Sequence, residues 1–357
     1  MSSAAPINIA VVGLGRSGYD IHVRRLRGDD RFRIAGVTDW DAARAKAVAQ
    51  ELGCEAFRSL KSLLQNADAE VVVVATYSNT HPSVTKAALK SGRHAICEKP
   101  MADSVAVGKS MFATADQVGR KLFIHQNYRF SREIRHLLGI VQSKRIGDVF
   151  EIRMRALGFS RRNDWQTLHK YDGGVLNNTC PHFIDIGLRL LDSPVRDVFG
   201  DLQLLSDVGD VEDHVKVVLR GENGRVYDME VSTSCAFSEP KWTLLGTHGT
   251  LVSDGKTSTI KWFDPARLAP LPVVETPPPQ RTYGNEDVIP WQEEQVPSVG
   301  PSIGDFYDNV FSVLREGGQM VVKPEEALDV VRVTQRAKKH SFFYSRDPAL
   351  RQKATRR

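Results

Sequence analysis

Glu98-Lys99-Pro100 follows directly on the apolar run His94–Cys97 and sets a carboxylate, an ammonium and a ring-locked residue in succession. Lys is of little use to an apolar core, and Pro cannot continue a sheet ladder. The pair is therefore expected at the carboxyl end of a strand, the edge where an open α/β sheet binds ligands. A Lys held there among partly buried groups can exchange protons near neutrality. An isolated Glu-Lys-Pro would also suit a surface ion pair, so its surroundings decide. A second pattern lies upstream: Gly13-Leu14-Gly15-Arg16-Ser17-Gly18, a G-x-G-x-x-G placed just after the apolar run Ile7–Val12. Gly13 permits a tight turn, Gly15 leaves room for a diphosphate at a helix amino terminus, and Gly18 lets helix and strand approach. Asp39, 21 residues beyond Gly18, stands where an acid accepts hydrogen bonds from an adenosine ribose. Trp40 and Asp41 follow where a 2′-phosphate would need Arg, Lys or Ser, so NAD is expected and NADP less so.

These residues need a scaffold, and the hydrophobic pattern supplies one. Short, mostly β-branched runs at Ile7–Val12, Phe32–Thr38, Val71–Ala75, His94–Cys97 and Leu122–His125 alternate with helical stretches at Asp41–Leu52, Ser59–Gln65, His81–Ser91 and Ser104–Val118. This rhythm predicts a Rossmann-type, doubly wound parallel sheet over residues 1–126. After a helix at Ser131–Ser143, strands succeed one another with few helices, from Val149–Arg155 to Thr259–Phe263. The fold class is thus α/β, with an N-terminal Rossmann doubly wound parallel sheet plus a C-terminal α+β domain carrying a mainly antiparallel open sheet, residues 127–340. Residues 265–301 hold nine of the 17 prolines, so no regular structure is expected there. Helices at Ile303–Glu316 and Pro324–His340 close the fold, and 341–357 form a basic tail.

Composition excludes several classes. The chain has 357 residues and a net charge of +5, but Arg336–Arg357 alone holds eight Lys or Arg and one acid, leaving the remainder mildly acidic. Without a nucleic-acid-binding signature, that tail is a solvated end and no nucleic acid is expected as partner. No apolar run approaches the ~20 residues that span a bilayer, so no membrane partner is expected. Cys54, Cys97, Cys180 and Cys235 make no metal-type pair and read as reduced thiols of a cytoplasmic protein; no metal site is expected.

Taken together, these motifs resemble the Gfo/Idh/MocA oxidoreductases, the glucose–fructose oxidoreductase and inositol dehydrogenase family. Besides the glycine loop, Ala75-Thr76-Tyr77-Ser78-Asn79-Thr80-His81 is similar to the family's A-T-P-N-x-x-H, and Glu98-Lys99-Pro100 to its E-K-P. Asn127-Tyr128-Arg129-Phe130 is similar to N-x-R-F, and residues 173–185 to G-G-x-L-x-D-x-G-x-H-x-x-D. The resemblance implies a nicotinamide site between the domains with a sugar or polyol beneath it. Thr76, Asn79 and His81 would line the cofactor, Glu98 and Lys99 would border the nicotinamide ribose, and Asn127 would lie near the nicotinamide. Trp165 and Gln166 sit where relatives place a Trp-Arg pair against the cofactor, with Tyr283 a further candidate. It also implies a homodimer or homotetramer joined through the open sheet face.

The pattern departs at two positions: Asn178 replaces the family's aspartate and Cys180 its glycine, while His182 is retained. On this alignment His182 takes the carbinol proton, Lys99 stabilises charge on the oxygen, and Asn178 only positions a hydroxyl. Arg162, beside Arg161, could grip an anionic sugar or be a solvated charge, and His169, Tyr128 and Arg129 are further substrate-side candidates. The primary expectation is an NAD-dependent sugar or polyol dehydrogenase. Two alternatives stay open: redox-neutral glycoside cleavage with tightly bound NAD, and a non-catalytic NAD-sensing protein.

Overall fold

The computed structural model describes residues 5–273, 275–276 and 287–344. Six parallel strands form the first sheet, in the order β3-β2-β1-β4-β5-β6. They are β1 (Ile7–Val12), β2 (Phe32–Thr38), β3 (Glu55–Ala56), β4 (Val71–Val74), β5 (His94–Cys97) and β6 (Leu122–Ile124). Val71–Val74 are wholly buried, as are Ile9, Ala10, Val11 and Ile96. Both sheet faces are covered, so β4 and β6 are apolar at every position instead of alternating. A π-wound turn (Ser17–Val23) running into α1 (Arg24–Leu26), then α2 (Ala42–Leu52), α3 (Leu60–Asn66), α4 (His81–Lys90) and α5 (Val105–Gln117) make the crossovers. Local chemistry sets their ends: Asp41 accepts from the N–H groups of Ala43 and Arg44 to start α2, and Gly53 at φ 63° stops it. Strand order reverses between β1 and β4, which opens a crevice at the carboxyl ends of the strands.

The second sheet has eight strands in the order β14-β13-β12-β11-β7-β10-β9-β8: β7 (Val149–Leu157), β8 (Val195–Gln203), β9 (His214–Gly221), β10 (Val226–Ser232), β11 (Trp242–Gly246), β12 (Gly249–Ser253), β13 (Thr257–Trp262) and β14 (Gln292–Pro297). Every pair is antiparallel except β7 with β10. Its inner face packs on α6 (Arg132–Ser143), α7 (Val175–Asn178), α8 (Cys180–Leu191) and α10 (Pro324–His340). Gly187 lets the Tyr227 ring lie against α8, where a Cβ would come within 2.2 Å. The Tyr227 hydroxyl donates to the Phe183 carbonyl at 2.8 Å, so α8 is fixed on β10 immediately beyond His182.

Three features differ from the sequence reading. Gln292–Pro297, inside the proline-rich stretch, forms β14 on β13. An edge strand needs main-chain pairing on one side only, so a polar sequence ending in Pro suffices. Secondly, α9 (Phe306–Arg315) leaves the 127–340 unit: Phe306, Tyr307, Val310 and Phe311 join the core of Ile7, Ile9 and Val37 in the first domain. Finally, α10 straddles both units, with Ala327 and Val331 in the first core and Val330, Val333 and Ala337 in the second. Pro277-Pro278-Pro279, Tyr283 and the tail from residue 345 lie outside the described residues.

Candidate functional site

A cleft of about 1010 Å³ runs from the glycine loop to the first turn of α8. At one end Gly13, at φ +90°, has the Ala75 carbonyl oxygen 2.4 Å from where a Cβ would stand. Only Gly fits that turn. Gly15 faces open space, and a Cβ on Gly18 would strike the Gly13 carbonyl. Gly13, Gly15, Arg16 and Ser17 line the cleft; Leu14 and Gly18 do not, and serve the turn. Leu14 donates its N–H to Asp39 Oδ2 at 2.6 Å, while Asp39 Oδ1 accepts from the Asp41 N–H at 2.8 Å and Arg44 Nη1 at 3.3 Å. The acid is thereby held at the end of β2 beside Trp40, whose ring carries the Arg44 guanidinium 5.7 Å from its centroid. Arg44 and Arg58 also line this end.

At the other end, Lys99 Nζ donates to the Asn178 carbonyl oxygen at 2.7 Å, with Asn178 Oδ1 at 3.4 Å. Burial draws the Lys99 ammonium below the ordinary lysine pKa, and Arg16 and Arg162 push the same way against the opposing pull of Glu98. His182 presents a flat face to Tyr128, ring centroids 4.2 Å apart and planes 11° from parallel. Burial, then Lys99, lowers its imidazole pKa to about 3, so the ring is neutral at physiological pH. Among the described residues its buried Nδ1 has no hydrogen-bond partner, nor does the buried Asn127 Oδ1. The Asn178 amide is paired reciprocally with Gln166, both bonds 3.0 Å. Gln166 in turn accepts from Arg162, which also pairs with Asp164 at 2.6 Å. Trp165 packs edge-on against Tyr77 at 5.0 Å, closing the cleft from the second domain.

Several assignments change. Arg129 does not reach the cleft. It is 6 % exposed, and its guanidinium donates to Asp185, Glu326 and the Val321 carbonyl. This buried ion group fastens the turn after β6 to α8 and α10. His169 also stands outside the cleft, its N–H donating to Asp210 and its ring lying near Tyr344. Asn79 turns across the domain boundary and donates to the Lys170 carbonyl at 2.9 Å. His81 borders the cleft, but its ring nitrogens face the carbonyls of Pro100 (2.7 Å) and Thr76 (3.1 Å); it braces the loops after β4 and β5. The Glu98 carboxylate is turned inward as well. Oε1 accepts from His125 Nδ1 at 2.9 Å and His22 Nε2 at 3.1 Å, and Oε2 from the Lys99 N–H at 3.1 Å. His125 is among the lining residues that the sequence reading passed over. Its place at the end of β6, level with Glu98 on the same sheet edge, was the available signal.

The residues present fit a dinucleotide. The open cradle over Gly15, the ribose-type acid Asp39 and two orphaned buried polar atoms lie along one cleft of ligand size. Comparisons with known proteins agree. The profile of the oxidoreductase family with NAD-binding Rossmann fold matches residues 7–126, and that of the GFO/IDH/MocA C-terminal domain matches 134–252. An uncharacterized oxidoreductase of Schizosaccharomyces pombe is 26% identical, over 94% of this chain and 97% of its own. The myo-inositol 2-dehydrogenase of Thermotoga maritima is 27% identical, over 71% of this chain and 77% of its own. An NAD-binding protein from Listeria innocua superposes with a TM-score of 0.81 at 25% identity, covering 94% of this chain and 96% of that one. No helix among the described residues is long and apolar enough to cross a membrane. The glycine cradle, the Lys99–His182 end and the two matched domains together make this chain a member of the Gfo/Idh/MocA oxidoreductase family, with an NAD-binding Rossmann domain.

Proposed function

We propose that the chain is a dehydrogenase of sugars or polyols that uses NAD in preference to NADP. Bound NAD would supply the hydride acceptor. The carrying observation is that Lys99 and His182 share one end of the cleft, the imidazole held neutral by burial. His182, kept neutral by burial and by Lys99, accepts a carbinol proton, and Tyr128 holds its ring in plane. Lys99 stabilises the developing oxyanion. Asn178 carries no proton; through its carbonyl it aims the Lys99 ammonium, and Gln166 fixes its amide. Asp39 favours a ribose hydroxyl and repels a 2′-phosphate, which supports NAD. The name of the inositol dehydrogenase relative supports a polyol. The Arg162 charge is matched by Asp164, which supports a neutral substrate over an acidic one. Copies are proposed to join as homodimers or homotetramers through the outer face of the second sheet, in the cytoplasm.

The test is to incubate the protein with NAD and a panel of inositols, aldoses and uronates while following NADH absorbance. Stoichiometric NADH with one of them supports the dehydrogenase. Sugar cleavage without NADH would move the reading to redox-neutral chemistry, and NAD binding without turnover of any sugar to a sensing role.

A further inference from the structure

Behind Lys99 lies a buried chain of four polar groups, contributed by segments far apart in sequence. Tyr307 on α9 places its hydroxyl 2.7 Å from His22 Nδ1; His22 Nε2 lies 3.1 Å from Glu98 Oε1; His125 Nδ1 lies 2.9 Å from that same oxygen. His22, Glu98 and His125 are each no more than 3 % exposed. A tyrosine hydroxyl is the natural donor to Nδ1 of a neutral imidazole, so His22 carries its proton on Nε2 and donates to Glu98. Burial keeps His22 neutral, and His125 and His22 hold the Glu98 carboxyl ionised against its own burial. An ionised Glu98 accepts, so His125 must carry its proton on Nδ1. Its Nε2 is the ring nitrogen left without a hydrogen-bond partner among the described residues, on a ring that borders the cleft. Edge-on packing against Phe306, centroids 4.6 Å apart, prevents the ring from turning away.

We infer that His125 is a cofactor-binding residue whose Nε2 shares a hydrogen bond with a hydroxyl of the nicotinamide ribose. This rests on the NAD reading of the cleft and adds a contact beside Glu98. Three N–H donors already occupy the Glu98 carboxylate, while its neighbour at the adjoining strand end keeps one ring nitrogen unpaired among the described residues. Glu98, His22 and Tyr307 act behind it as positioning residues that fix the tautomer.

Titration of the full chain with NADH, ADP-ribose and ADP, without sugar, tests the assignment. His125→Ala should weaken NADH and ADP-ribose by about tenfold, the loss of roughly one hydrogen bond, and leave ADP unchanged. His125→Phe, which keeps the packing on Phe306 and removes both nitrogens, should do the same and serves if the alanine variant does not fold. Unchanged NADH affinity overturns the inference. So does a parallel loss for ADP, which marks a structural role, and so does a loss confined to NADH with ADP-ribose unaffected, which moves the contact to the nicotinamide. Failure of the wild-type chain to bind NADH would instead sink the NAD reading itself.

Discussion

At the glycine-loop end of the cleft the cradle is one local turn, Gly13 to Gly18. The loop is consecutive sequence, and its acid is held by the N–H groups of Leu14 and Asp41 and by Arg44. At the Lys99 end the surface is side chain, assembled from β5, β6, the turn that follows β6, residues 162–166 and the helices α7 and α8. Main chain needs only a local turn to point its donors correctly. Side chains drawn from six segments need a packed support, and the structure supplies two. The Tyr307–His22–Glu98–His125 chain lies beneath β5 and β6, and the Arg129–Asp185–Glu326 group pins α8. The glycine-loop end is thus short and local, whereas the Lys99 end depends on tertiary packing for each of its groups.

Substitutions at the two ends should separate in kind. The largest effect belongs to the reactive end: Lys99→Met should lower kcat by about 10³-fold, with NADH affinity, read by fluorescence titration, changed far less. If affinity falls as much as kcat, the division between the ends fails. Arg129→Met should leave Asp185 buried and uncompensated and cost about 3–5 kcal/mol in denaturant unfolding. A variant that is fully stable but raises KM would return Arg129 to the substrate side.

His182 offers a measurement by pH. Its folded-state pKa is lowered to about 3, against about 6.5 when unfolded. The unfolded chain therefore binds the extra proton between those values, and this contribution makes stability fall as pH drops below about 6.5. Replacement by Asn should remove about 2 kcal/mol of the stability lost between pH 7 and 5; an unchanged pH profile of unfolding would show the imidazole to be solvated. The smallest effect is expected at the binding end, where Asp39→Ser should raise the Kd for NAD by about tenfold and bring NADP closer to it. Isothermal titration with both nucleotides reads the ratio, and an unaltered ratio would place discrimination on Arg44 and Arg58 instead.

The parallel sheet, the glycine turn, Asp39 and the strand-end position of Glu98 and Lys99 were legible because each depends on residues adjacent in the chain or on an apolar run of fixed length. The strand Gln292–Pro297 was not, since its pairing is main-chain and leaves little trace in side-chain pattern. Arg129 and His169 resembled site residues in sequence, and only the fold shows Arg129 enclosed by Asp185 and Glu326 and His169 turned toward Tyr344.

By itself, then, the sequence determined the order of strands and helices, the dinucleotide loop and the strand-end position of Lys99. Tertiary structure decided which face each long polar side chain turns to. It aimed Glu98 inward at two imidazoles, freed His125 Nε2 toward the cleft, and brought α9 back under the first sheet to supply Tyr307. The reason is physical: a buried polar group must find its partner wherever packing brings one, and that partner lies 285 residues away in the case of His22 and Tyr307.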